Sequence, residues 1–138
     1  MAGNKKYQIY VKPGARKSLA VRTAVNQLNK TLGKGKTVSI VTNKRAADAV
    51  IGYGLGGTKN SGMTRTSGKK DHIQINKAAK ALPKSAYRRT IEHEIGHGLG
   101  LNHRPGPQNL MNPKTGGRSL KAGQKKKVRR TKRKGGYS

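Results

Sequence analysis

Apolar residues fall along this chain in two rhythms. Residues 6–11 (KYQIYV) alternate polar and apolar, which predicts a strand, and Pro13-Gly14 predicts a turn after it. Over residues 18–32, Leu19, Val21, Val25, Leu28 and Leu32 recur mostly every three or four positions. That is the spacing of a helix with one buried stripe, with Ser18 as candidate N-cap and Gly33 as its end. Residues 37–42 (TVSIVT) and the shorter 49–53 predict two further strands, the second running into a glycine turn (GYGLGG). Residues 54–70 are rich in Gly, Ser, Thr and Lys and are expected to be mobile or ordered only by a ligand. Alternation returns over residues 71–75 (DHIQI), with Ile73 and Ile75 on one side.

A second helix is expected from residues 83–85, since Pro is well tolerated in a first turn, to about Gly100. Tyr87, Ile91, Ile95 and Leu99 are spaced i, i+4 and form one apolar stripe, while His93 and His97 fall on nearly the opposite side. One face should therefore meet a sheet and the other a cleft. A last helix, over about residues 119–132, carries Leu120 and Val128 among basic residues. The order of elements argues for an α+β class, an α/β sandwich with a small twisted mixed sheet of about four strands. The 138 residues suit one domain, with 1–113 as its compact part and 114–138 as a basic helix and tail. Hydrophobic residues make up only 31%, without Trp or Phe, against a usual share of about 45–50%, so the core must be small.

Charge changes the picture. The chain carries 32 Lys+Arg against 4 Asp+Glu, a formal net charge of +28, and residues 114–138 hold 11 of the basic residues and no acid. Solubility alone needs a net charge of about 2–8, so a polyanionic partner is expected, nucleic acid first. The tail residues Lys125, Lys126, Lys127, Arg129, Arg130, Lys132, Arg133 and Lys134 would form a phosphate-tracking arm. The bland alternative is a solvated helix face with a frayed end, and one tail aromatic, Tyr137, supports no stacking platform. The N-terminal stretch lacks the apolar core of a secretory signal, and the longest strongly apolar run, residues 38–41, is far short of the roughly 20 needed to span a bilayer. These features lead to the expectation of a protein kept inside a cell or packed into a virus particle, without a membrane partner.

With no Cys, any metal must be held by His, Asp or Glu. Three of the four histidines lie between residues 93 and 103, in the pattern H-E-x-x-H-x-x-G-x-x-H. His93 and His97 are one helical turn apart and can reach one ion. Glu94, beside the first ligand, can take a proton from an attacking water without ligating the metal. Gly100 can adopt φ > 0 and turn the chain so that His103 returns as third ligand. Three imidazoles leave a fourth position open, as in catalytic zinc sites, so one Zn2+ is the expected cofactor. The competing reading is a decayed or purely stabilising site, against which the retained Glu94 counts.

The segment HEIGHGLGLNH resembles the zinc signature of the metzincin metalloproteases, and its His-Glu-x-Gly-His-x-Leu-Gly form is most similar to the matrixins. Asn109-Leu110-Met111-Asn112-Pro113 is similar to the matrixin Met-turn and follows His103 at the interval that the resemblance implies. Carried over, His93, His97 and His103 would be zinc ligands, Glu94 the general base and Met111 the Met-turn residue. The strand with His72, Ile73, Gln74 and Ile75 would be the edge that pairs with an extended substrate, and Asn112-Pro113 would border the pocket beyond the scissile bond. Arg104 and Asn112 depart from the usual Ser and Tyr. Cysteine-switch latency is excluded, no propeptide is expected before the domain, and only Asp48 and Asp71 could serve structural calcium sites.

Other residues carry blander expectations. His72 should be satisfied or solvent-facing rather than a second metal ligand, and Glu92 a surface partner of Arg88 or Arg89. GYGLGG lacks the ending of a phosphate-binding loop. The expected function is a zinc endopeptidase of matrixin-like metzincin type acting on protein or peptide near nucleic acid or in a virion. The alternative is a basic nucleic-acid-binding or virion structural protein with a stabilising zinc site; a ribosomal-type protein would leave the zinc signature unexplained.

Overall fold

Short segments of Ile, Val and Tyr at alternate positions, too short to bury themselves, pair side by side into one sheet and cover one face with helices. A computed structural model of the protein describes residues 6–15, 20–33, 38–54, 61–68, 70–78, 83–113, 117, 119–130 and 136–137, with backbone alone at 129, 130, 136 and 137. The strands are β1 (Tyr7–Val11), β2 (Val38–Val41), β3 (Ala49–Gly54), β4 (Gly62–Ser67), β5 (Lys70–Asn76) and β6 (Gly136–Tyr137). The helices are α1 (Val21–Leu32), α2 (Lys84–Gly98) and α3 (Ala122–Arg130). The order across the sheet is β2-β1-β3-β5-β4-β6. The first four of these strands run parallel, and β4 is antiparallel to both β5 and β6.

The register sorts the side chains. Tyr7, Ile9 and Val11 share a face with Val38, Ala49, Ile51, Asp71, Ile73, Ile75, Gly62 and Thr64, and this face carries the core. α1 and α2 pack against each other, bringing Leu28, Ile91 and Ile95 into the same buried cluster. α1 stops where Gly33 takes φ 90° and returns its N–H to the Asn29 carbonyl. The Asn29 amide also bonds both backbone groups of Val38, at 2.9 and 3.0 Å, which seats β2 against the helix end. Among the described residues no helix is long and apolar enough to cross a membrane.

Several expectations are corrected. The α+β class and the mixed sheet stand, with more strands than four. The segment 54–70 is not simply a loop: β4 runs through it, and residues 55–60 lie outside the described residues. The alternation of β4 escapes an apolar pattern because its core-facing positions are Gly62, Thr64 and Thr66, which face carboxylates rather than hydrocarbon. β5 is not an edge: β3 covers one side and β4 the other, so His72, Ile73, Gln74 and Ile75 cannot pair with an incoming strand. α1 begins at Val21 after Ala20; Ser18 and Leu19 lie outside the described residues, as does any continuation of α3 over 131–135.

A buried polar knot joins β1, β4 and β5 beneath the end of α2. Asp71 is fully buried and accepts hydrogen bonds from the Tyr7 hydroxyl and the Thr66 hydroxyl, both at 2.6 Å. Gly98 abuts the Tyr7 hydroxyl so closely that any Cβ there would collide with it. Gly98→Ala should therefore destabilise the fold, and Tyr7→Phe should cost about 1–3 kcal/mol by leaving Asp71 short of a donor. Because Phe removes the colliding oxygen, the double variant should lose less than the two single losses added, measured by urea unfolding in a double-mutant cycle.

Candidate active site

α2 is buried on all sides from Thr90 onward, which its two-faced sequence explains. Tyr87, Ile91 and Ile95 meet the core, while His93, Glu94 and His97 are covered by β4 and by the chain that follows the helix. The helix ends in a Schellman turn: Gly100, at φ 95°, donates its N–H to the His97 carbonyl, and Leu101 donates to the Gly96 carbonyl. Only this left-handed residue lets the chain double back at once.

That reversal supplies what the histidines need. His97 Nδ1 lies 2.8 Å from the Leu101 carbonyl, and His93 Nδ1 lies 2.9 Å from the Leu110 carbonyl. A carbonyl oxygen only accepts, so each Nδ1 must donate, and each neutral ring keeps a bare Nε2. The two Nε2 atoms face each other at 3.1 Å. Two lone pairs cannot hydrogen-bond, but a cation between them satisfies both. The spacing is near the edge of about 3.3–3.4 Å for a tetrahedron with zinc–nitrogen bonds of about 2.0–2.1 Å. His103, exposed, completes the group: one nitrogen from each ring falls within 4.8 Å of the others. No carboxylate of the described residues joins the three rings. The donor set fits one zinc ion, with backbone carbonyls orienting two ligands from behind.

The floor of the site is the turn at 109–112. Met111 is fully buried and its sulfur fills the space where Gly96 lacks a side chain; a Cβ there would come within 2.7 Å of it. Asn109 Oδ1 accepts the Met111 N–H at 2.9 Å, and the Asn109 and Gln124 side-chain amides bond each other at 2.7 and 3.1 Å. Gln124 of α3 thus pins the turn that offers the Leu110 carbonyl to His93. The zinc motif contains no hint of Gln124; only a lone amide among lysines in an amphipathic helix marked it.

Glu94 is 2% exposed and packs against Gly62, where a Cβ would meet its Cγ at 2.7 Å. The Thr64 hydroxyl, also buried, lies 2.9 Å from Glu94 Oε1 and 2.8 Å from the Glu94 carbonyl. Burial pushes the Glu94 carboxyl up to about 8, against a downward pull from the Thr64 hydrogen bond. A divalent cation at the three imidazoles would favour the carboxylate further. Thr64 and Gly62 sit in the stretch expected to be mobile, so neither was visible as a site residue. Glu92, expected at the surface, is fully buried. His72 and Gln74 are exposed on the sheet face away from α2, as a solvent-facing His72 requires.

A family model described as metallo-peptidase family M12B, reprolysin-like, matches residues 4–104. The chain belongs to the reprolysin-like metallopeptidases. The match takes in β1 to β5, α2 and all three histidines, and it places the chain among metzincin-type zinc metallopeptidases without singling out the matrixin group. No curated protein matches the chain. The basic helix lies beyond the matched residues: Lys126 and Lys127 are exposed and Lys125 half-buried. Arg129 and Arg130 end α3, with side chains outside the description, and Lys132, Arg133 and Lys134 lie outside the described residues.

Binding of zinc only by the folded chain should raise thermal stability by mass action, by about 2.7 kcal/mol at a free ion concentration a hundredfold above Kd. Calorimetric scans with zinc and with a chelator should therefore separate, and His103→Ala should shrink the gap without lowering the Tm of the chelated protein.

Proposed function

We propose that the protein is a zinc-dependent endopeptidase in which Glu94 is the general base. The observation that carries this reading is the pair of facing Nε2 atoms, 3.1 Å apart, on the same helix as a buried glutamate held by a threonine. Zinc, when bound by His93, His97 and His103, would supply Lewis acidity, acidifying water and polarising a carbonyl. The work of the protein is proton handling and positioning. Glu94 Oε2 or Oε1 accepts the proton of the attacking water and returns it to the departing amine. Thr64 has one proton for two acceptors, so it can donate to Oε1 while Glu94 is charged and turn to the Glu94 carbonyl once the carboxyl is protonated. Burial keeps competing water from Glu94. The likeness of 109–113 to the matrixin Met-turn supports Asn112-Pro113 as the border of the pocket beyond the scissile bond, with the Asn112 amide tied to the Gly106 carbonyl at 2.9 Å.

A second, compatible reading concerns setting. The net charge of +28 and the exposed Lys126 and Lys127 favour association with nucleic acid, which would bring the peptidase to proteins bound there.

Glu94→Gln should retain one zinc by metal analysis yet lose chelator-sensitive cleavage of an unfolded protein substrate by roughly 10²–10⁴-fold. Thr64→Val should lower kcat by about tenfold or more, with Thr64→Ser restoring it, as expected for a hydrogen bond to a charged group. Unchanged turnover in zinc-loaded Glu94→Gln would remove Glu94 from the mechanism. For the second reading, duplex affinity should fall steeply with salt, and replacing both Lys126 and Lys127 by Ala should reduce the log–log salt slope by about 2.

A further inference from the structure

The sheet does not end at the strand that holds Glu94. β4 is covered on one side by β5 over six positions, and on its outer side β6 pairs antiparallel with it, Thr64 opposite Tyr137 and Arg65 opposite Gly136. β6 is the C-terminal segment of this chain. Its pairing falls on the residue whose hydroxyl meets Glu94, so β6 lies one strand spacing, about 4.8 Å, from the backbone that positions the base.

We propose that the outer edge of β4 is a strand-docking surface whose resident occupant is the chain's own C-terminal segment, and that an extended peptide substrate must displace it. The competitive half of this inference rests on the endopeptidase reading; the docking half does not. Two arguments favour a displaceable occupant. Gly136, paired with Arg65, brings no side chain to hold it and loses much freedom on ordering. Backbone pairing along an edge reads no side chains, so any extended segment can take the same place.

The tether supplies what the contacts lack. α3 and the residues leading into it are anchored to the body through buried Leu120, Gln124 and Val128, the helix ends at Arg130, and β6 begins at Gly136. A connection that short gives an effective concentration in the mM range. A segment that would bind weakly as a free peptide therefore occupies the edge until substrate competes. Such an occupant restrains a peptidase in a chain whose cysteine-free sequence excludes a thiolate on the metal.

The test compares the full chain with a form ending at Gly135, both zinc-loaded, and adds the full-length variant Tyr137→Pro in case the shortened chain folds poorly. Hydrogen exchange at the β4 amides of residues 63–66 that face away from β5 should be slow in the full chain and speed up in both variants. With an unstructured peptide substrate, apparent KM should fall about threefold or more at unchanged kcat, set by the mM tether concentration. The synthetic peptide TKRKGGYS should restore the higher KM when added to the shortened form. Unchanged exchange in both variants overturns the docking. Faster exchange with unchanged KM overturns the competition. Protection that rises with protein concentration overturns the intramolecular occupant in favour of a second copy. If no form hydrolyses peptide, exchange still decides the docking, and the endopeptidase reading alone is lost.

Discussion

Two imidazole rings locked from behind organise this molecule. Each of His93 and His97 donates through Nδ1 to a main-chain carbonyl, and both carbonyls belong to the chain after the helix rather than to the helix itself. This leaves the Nε2 lone pairs pointed at one another across 3.1 Å, an arrangement that a bound cation relieves. Several contacts downstream of α2 support those carbonyls. Gly100 turns the chain so that Leu101 lies behind His97. Asn109 and Gln124 hold the turn that sets Leu110 behind His93.

The chain has no large aromatic core to stiffen such a site, and it uses close approach instead. Three glycines, at 62, 96 and 98, each stand where a Cβ would strike a functional group: Glu94, Met111 and the Tyr7 hydroxyl. Removing one methyl at each position lets strand, turn and helix close on the carboxylates and the sulfur without a void. Polar burial is concentrated on the same side. Asp71 with Tyr7 and Thr66, and Glu94 with Thr64, join these acids to β4, so the strand beside Glu94 is held by hydrogen bonds rather than by apolar area.

The excess of positive charge is spread along the chain, with 11 of its 32 basic residues after residue 113. Half of the four acidic residues of the chain are at or beside the metal ligands, as Glu92 and Glu94, and all four precede the basic C-terminal region. The site itself works through a few buried groups whose fields the low-dielectric interior strengthens.

By itself the sequence determined the parts that are local. The i, i+4 spacing of His93 and His97, the glutamate between them and a glycine able to take a left-handed turn before His103 specify a metal-binding helix end, because helical periodicity alone brings those rings together. The alternating segments of β1 and β5 and the short apolar runs of β2 and β3 were legible because local apolar patterning marks a strand. Tertiary structure alone decided the rest. β4 left no apolar trace because its inner face serves carboxylates. Strand order, which makes β4 and not β5 the strand that meets Glu94, is set by long-range pairing that no local pattern encodes. The burial of Glu92, the grip of Gln124 on the Met111 turn and the return of residues 136–137 to the sheet depend on which surfaces meet after folding, and so could be seen only once the chain had closed on itself.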